Sequence, residues 1–215
     1  MPLRLGFLAS HGGSSMAAII EAINEGRLAA SARVLISNNG QSRALDIAHE
    51  AGIPAFHLSE KTVGPAENLD KVILATLIHH GVAVVICSGY MKKIGPHTLA
   101  AFTGRILNVH PALLLAYGGQ GMYGARVHAA VLAAGETTTG VTVHLVDEEY
   151  DHGPMLAQSA VPVLPNDTID SLAARVQARE KTLFVAVLQH IVSDGGRQAG
   201  RQAVARYHAV RQCGL

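Results

Sequence analysis

The sequence predicts an α/β fold with a doubly wound, mostly parallel sheet, and three observations carry that reading. Strand-like and helix-like segments alternate through the first half of the chain. Residues 82–87 form a continuous apolar run rich in β-branched side chains, as in a central strand covered on both faces. A small-residue turn, Ser10-His11-Gly12-Gly13-Ser14-Ser15, joins the first apolar segment to a helical one.

The elements follow in order. Residues 3–10 read as the first strand, and 16–27 as a helix with Ile19, Ile20 and Ile23 on one face. A second strand is expected over 32–37, a helix over 42–51, and a short third strand after the glycine stop at Gly52. Residues 67–79 are helical, with Leu69, Val72, Leu74 and Leu77 apolar, and lead into the strand at 82–87. A fifth strand, 105–110, ends at Pro111. The glycine-rich stretch 112–124 reads as a loop before a helix at 125–134. Two more strands, 138–146 and 155–163, flank an acidic turn. A long helix spans 168–193 with Asp167 as its N-cap, and the final residues show little apolar periodicity.

Composition narrows the function. Hydrophobic residues are 49% of 215, enough for a substantial core. Lys+Arg 17 against Asp+Glu 16 gives no broad field for nucleic acid or an anionic membrane. There is no secretory pattern at the start and no apolar run of the roughly 20 residues that span a bilayer. Cys87 and Cys213 make no disulfide framework, and a cytoplasmic location is expected. Cys87, inside an apolar strand, is a poor nucleophile.

In an open α/β sheet, ligands sit beyond the carboxyl ends of the strands. The turn at Gly12, Gly13, Ser14 and Ser15 lies at that edge, where glycines admit a close ligand and a helix opens with unpaired N–H groups. It lacks the third glycine of a dinucleotide fingerprint and the lysine of a P-loop, so a monophosphate substrate is the better inference. On its own the segment reads equally well as a plain strand-to-helix turn.

Asn108-Val109-His110-Pro111 is the most informative tetrad. Alternation puts Asn108 and His110 on one face near a strand's carboxyl end, where an amide and an imidazole can serve a developing oxyanion. A lone histidine there is more often merely hydrogen-bonded. Thr142-Val143-His144 repeats the alternation, and Asp151 lies in a turn closed by Gly153-Pro154, where its carboxylate can favour a cationic imidazole. Asp147, Glu148 and Glu149 read as solvated turn residues. The chain has 12 histidines but no H-E-x-x-H or C-x-x-C spacing, so no metal is expected.

Further motifs complete a pattern: Phe7-Leu8-Ala9-Ser10-His11-Gly12-Gly13-Ser14, Ser88-Gly89-Tyr90-Met91-Lys92-Lys93-Ile94-Gly95-Pro96, Leu107-Asn108-Val109-His110-Pro111, Gly118-Gly119-Gln120-Gly121-Met122-Tyr123-Gly124, Gly140-Val141-Thr142-Val143-His144 and Asp151-His152-Gly153-Pro154. In this order and spacing the chain resembles the glycinamide ribonucleotide formyltransferases of purine synthesis, from about residue 3 to 195. The resemblance implies a Rossmann-like sheet with antiparallel C-terminal strands and 10-formyltetrahydrofolate as co-substrate. It implies a formyltransferase domain over 1–195, with a phosphate-binding N-terminal half and a folate-binding C-terminal half, then a tail over 196–215. Asn108, His110 and Asp151 fall on the family's catalytic trio, with Thr142 and His144 in support. By position, Gly12, Gly13, Ser14 and Ser15 hold the substrate phosphate and Glu180 the ribose. Met91, Lys92, Lys93, Ile94, Asn108 and Val146 line the folate pocket.

The sequence departs from the family at Ser15, Leu115, Ala66, Lys181 and Val185, which bears on affinity more than on the reaction. Small molecules are the expected partners of a monomer or homodimer, with no nucleic acid and no membrane. Alternatives at this stage are a methionyl-tRNA or sugar-nucleotide formyltransferase, a formyl-folate hydrolase, a dehydrogenase, or a non-catalytic folate- or nucleotide-binding protein. Length and the first loop fit the other formyl-folate enzymes less well, the incomplete dinucleotide fingerprint weighs against a dehydrogenase, and the coincidence of the three reacting-centre residues weighs against a binding protein.

Overall fold

The structure, a computed structural model, describes residues 1–194, and the expected tail over 196–215 lies outside the described residues. Among the described residues, seven strands form one sheet in the order β3-β2-β1-β4-β5-β6-β7. They are β1 (Leu3–Ala9), β2 (Ala30–Ser37), β3 (Ala55–His57), β4 (Val84–Cys87), β5 (Ile106–His110), β6 (Thr138–Leu145) and β7 (Met155–Pro162). The first five pair in parallel, and β6 and β7 run antiparallel, as the resemblance implies. From β1 the chain winds to β2 and β3 on one side, then returns to place β4 on the other. The strand order therefore reverses between β1 and β4, where a crevice opens at the carboxyl ends.

Among the described residues, seven helices cover the sheet: α1 (Ser14–Asn24), α2 (Arg43–Glu50), α3 (Glu60–Val63), α4 (Ala66–His79), α5 (Pro96–Ala101), α6 (Ala125–Ala133) and α7 (Ile169–Asp194). Side-chain alternation divides the strands between two cores. Leu5, Phe7, Val84, Ile86, Leu107 and Val143 meet Met16 and Ile19 of α1 and Phe184 and Leu188 of α7 on one face. Leu8, Val34, Ile36, Val85, Cys87 and Ile106 meet Ile73 and Leu77 of α4 on the other. A smaller cluster of Val131, Val141, Val161, Leu172 and Val176 closes the antiparallel end. All the large side chains named here are at most 7% exposed, so each contributes about 1.5–3 kcal/mol of burial.

Two short helices escape the sequence reading, and their causes are non-local. The N-terminus of α5 is held by Asp70 of α4, whose buried carboxylate accepts the His97 and Thr98 N–H groups at 2.7 and 3.1 Å and the Thr98 hydroxyl at 2.5 Å. In α3, Ser59 and Thr62 form a reciprocal capping box around a single turn. The cap of α7 is also corrected. Thr168 Oγ1 accepts the Ser171 N–H at 3.2 Å and Ser171 Oγ accepts the Thr168 N–H at 3.0 Å, so Thr168 is the N-cap. Asp167 sits one residue earlier and pairs with Arg175 at 2.7 Å.

The turn between β6 and β7 depends on Gly153. A Cβ there would lie 2.0 Å from the Leu145 carbonyl oxygen, a backbone atom that cannot step aside. Gly153→Ala is expected to cost about 1–3 kcal/mol or more, read as a lower urea midpoint with an unchanged slope.

Candidate active site

The switch in strand order brings three chain segments to one edge. β1 ends in the Ser10–Gly13 turn, whose last residue has φ 61 and serves as the α1 N-cap without a side chain. Glycine is required there twice over, by the left-handed backbone and because a Cβ would come within 2.9 Å of the Ala44 Cβ. The cap is supplied from β4's end: Ser88 Oγ accepts the Met16 N–H at 3.0 Å. Earlier N–H groups of the first turn, at Ser14 and Ser15, keep the donor character that favours an anion. Ser10 Oγ accepts the Met91 N–H at 2.7 Å and donates to Asn38 Oδ1 at 2.5 Å, stitching this turn to the segment carrying Met91–Ile94.

The second group stands where β5 meets β6. Antiparallel register sets Asn108 opposite His144 and His110 opposite Thr142, so the four side chains share one face. His144 Nδ1 donates to the Leu145 carbonyl at 2.9 Å, so in the neutral ring Nε2 is the acceptor for the Asn108 amide at 3.1 Å. Thr142 holds the turn after β5, its hydroxyl donating to the Ala112 carbonyl at 2.7 Å and accepting the Leu114 N–H at 3.0 Å.

Asp151 enters from the β6–β7 turn with φ 56, and its carboxylate lies 3.4 Å from His110 Nδ1 and 3.5 Å from His144 Nε2. The Gly119 N–H also donates to it, at 3.1 Å. Burial works against the charge of Asp151, but the contacts with His110 and His144, the attraction of His110 and the Gly119 bond outweigh it. Together they hold the carboxyl well below the usual carboxylate range. The other ring nitrogen of His110, Nε2, is 2.8 Å from the Tyr117 carbonyl. Both nitrogens thus face oxygen atoms that can only accept a hydrogen bond.

These groups open onto a cavity of about 650 Å³ lined by Gly12, Gly13, Ser14, Ser15, Asn108, His110, Asp151 and Glu180. The residues expected to bind phosphate and ribose therefore share one space with the expected reacting centre. Ser15 is itself buried, and Gln177 Nε2 donates to Ser14 Oγ at 3.3 Å. Met91, Lys92, Lys93 and Ile94 border a neighbouring cavity of about 1430 Å³, which Ala66 also lines. Lys92, Lys93, Ile94 and Val146 border a third space of about 60 Å³ that reaches Asn108 and His144. Of the other departures, Val185 is buried in the core against α1 and Leu115 is exposed.

Several participants were not singled out by sequence reasoning. Tyr90 borders all three cavities. Gln177 stands three residues before Glu180, a helical spacing that could have found it. His128 of α6 lines the first cavity with its Nδ1 buried and unpartnered, and burial and the nearby His110 lower its pKa. The Tyr117 carbonyl left no side-chain signal at all. Cys87 is buried and its thiol pushed up to about 12, in keeping with a structural role. Among the described residues, no group of three or more His, Cys, Asp or Glu is placed to hold a metal, and no helix is long and apolar enough to cross a membrane.

Burial pushes the Glu180 carboxyl up to about 7, against the pull of His110 and Lys181. Unfolded, a glutamate titrates near about 4.3. The folded state therefore keeps a proton that the unfolded state has released, and stability falls as pH rises through that window. The urea midpoint of the wild type is expected to drop between about pH 5 and about pH 8, and Glu180→Gln to remove that part of the drop. Parallel pH profiles for the two proteins would contradict the assignment.

The fold has counterparts among known proteins. A model of the formyl transferase family matches residues 3–188. The chain belongs to the formyl transferase family. It is 39% identical over 192 residues to the chloroplastic phosphoribosylglycinamide formyltransferase of Arabidopsis thaliana, covering 89% of this chain and 66% of that protein. With the Vigna unguiculata protein of the same name the covered share is 61%, so the chain spans about two thirds of these plant relatives. Against phosphoribosylglycinamide formyltransferase of Mycobacterium tuberculosis the identity is 38% over 202 residues, with 94% of this chain and 91% of that one covered. Glycinamide ribonucleotide transformylase 1 from Symbiobacterium toebii superposes with a TM-score of 0.84 at 32% identity, covering 90% of this chain and 89% of that chain. Within the family, the mixed sheet and the antiparallel β6 and β7 are what the sequence led us to expect.

Proposed function

We propose that the chain transfers the formyl group of 10-formyltetrahydrofolate to the primary amine of N1-(5-phosphoribosyl)glycinamide. The products are N-formylglycinamide ribonucleotide and tetrahydrofolate, in a step of purine biosynthesis. The observation that carries the reading is the convergence of Asn108, His110, His144 and Asp151 beside a cavity shared with the Gly13–Ser15 turn. A phosphate donor set thus stands next to a polarising centre. The family match and the names of the relatives support the same substrate pair.

In this mechanism the neutral amine attacks the formyl carbon and a tetrahedral intermediate with an anionic oxygen forms. Asn108 donates to that oxygen and the protonated His110 ring stabilises its charge, an effect worth about 3–4 kcal/mol for one donor in a well-formed oxyanion site. Asp151 keeps His110 protonated and orders a water that relays the proton lost by the amine to the folate nitrogen. The bond from carbon to that nitrogen then breaks as the new amide is completed. Gly12, Gly13, Ser14 and Ser15 hold the phosphate and Glu180 the ribose. Met91, Lys92, Lys93, Ile94 and Val146 border the folate, with Thr142 and His144 in support.

Small-molecule chemistry of this kind calls for no metal, nucleic acid or membrane. A cytoplasmic setting, a monomer or homodimer, and the division of residues 1–195 into phosphate-binding and folate-binding halves belong to the same proposal. The test is release of tetrahydrofolate from 10-formyltetrahydrofolate with and without the phosphoribosyl acceptor. Release only with the acceptor is expected. Release without it would make the chain a hydrolase, and none at all would leave a binding protein.

A further inference from the structure

Among the described residues, Tyr117 and Asp151 are the two non-glycine residues with positive φ, 57° and 56°. They are also the two partners of His110, one at each ring nitrogen. Residues other than glycine adopt this backbone at a cost, and it persists only where the surroundings impose it. At Tyr117 the surroundings are specific. Its ring packs against the cluster of Val131, Val141, Val161, Leu172 and Val176, and its hydroxyl donates to Glu136 Oε1 at 2.8 Å. Glu136 lies just beyond the end of α6, outside the cavity and exposed. On the far side, Gly118 lies so close to Leu114 that a Cβ would come within 2.6 Å of it. The peptide between ring and glycine is thereby held with its carbonyl toward His110.

We propose that Tyr117 and Glu136 are a positioning pair for His110: the hydroxyl–carboxylate bond fixes the left-handed Tyr117 backbone, whose carbonyl fixes the imidazole. A carbonyl oxygen only accepts, so it keeps a proton on Nε2 and sets the ring plane. Nδ1 is then directed at Asp151. Neither Tyr117 nor Glu136 needs to touch substrate for this. The inference rests on the role given to His110 in the proposed function, but the orientation it concerns can be read without turnover.

The experiment labels the histidine nitrogens and follows the His110 ring by NMR in the wild type, Tyr117→Phe, Glu136→Ala and Glu136→Gln, with kinetics on each. The His110 signals are assigned by their loss in a His110 variant. In Tyr117→Phe and Glu136→Ala the Nε2 signal is expected to move or broaden and kcat to fall about three- to tenfold, the size of one lost hydrogen bond. KM for both substrates is expected to stay within twofold or so. Glu136→Gln keeps an acceptor and is expected to restore both readouts. Because Glu136 is exposed, its replacement leaves the core intact. Unchanged ring signals in Tyr117→Phe and Glu136→Ala would overturn the proposal, whatever happens to kcat. If the wild type shows no turnover, the proposed function fails while the ring signals still decide this inference.

Discussion

Replacing Asp151 with asparagine is expected to lower kcat by about a hundred- to a thousandfold while leaving folate binding nearly intact. The two side chains have the same shape, so the bond from the Gly119 N–H can survive on the amide oxygen. What disappears is the negative charge lying 3.4 Å from His110 Nδ1 and 3.5 Å from His144 Nε2. An asparagine that turns its NH2 toward either ring also removes the acceptor that a protonated imidazole needs. The loss belongs to the transition state, since the positive charge that Asp151 sustains on His110 counts most when the oxyanion forms. Steady-state kinetics alongside equilibrium binding of a folate analogue separates the two readouts. A kcat within about threefold of wild type would remove Asp151 from the reacting centre.

His110→Ala is expected to cost kcat a similar factor, about a hundred- to a thousandfold, for loss of the cation that stabilises the oxyanion. It should also destabilise the fold, because the Tyr117 carbonyl and the Asp151 carboxylate both lose a partner in a largely buried setting. About 1–3 kcal/mol is the expected loss for groups left unpaired in this way. The distinction between the variants is therefore informative. Asp151→Asn should affect rate far more than stability, whereas His110→Ala should affect both. Urea titrations beside the kinetic assays check this, and equal stability losses in the two variants would contradict the arrangement around His110.

Much of this site was legible in the sequence because strand alternation is strict. Asn108 and His110 are two residues apart, as are Thr142 and His144, so each pair falls on one face wherever its strand lies. The antiparallel register of β5 and β6, which sets Asn108 against His144, had to come from the structure. All seven strands and the five longer helices were readable from periodicity and glycine stops. The 4-residue α3 and 6-residue α5 were not. No run that short carries a period, and α5 starts where a carboxylate 27 positions earlier accepts its N–H groups. The cap of α7 was misplaced by one residue because Asp167 and Thr168 are both good caps, and the pull of Arg175 decides between them. Tyr117 was invisible for a different reason. Its contribution is a backbone carbonyl in a conformation that the sequence would assign to one of the glycines beside it.

The most direct test of the central claim follows the formyl group itself. Purified protein is given 10-formyltetrahydrofolate with an isotopically labelled formyl carbon, together with the phosphoribosylglycinamide acceptor, and the acceptor is analysed by mass spectrometry. The account predicts a formylated acceptor that carries the label in proportion to the tetrahydrofolate released, formed about a hundred- to a thousandfold more slowly when His110 is replaced by alanine. Label recovered as free formate, or an acceptor that stays unmodified while folate is bound, would contradict it.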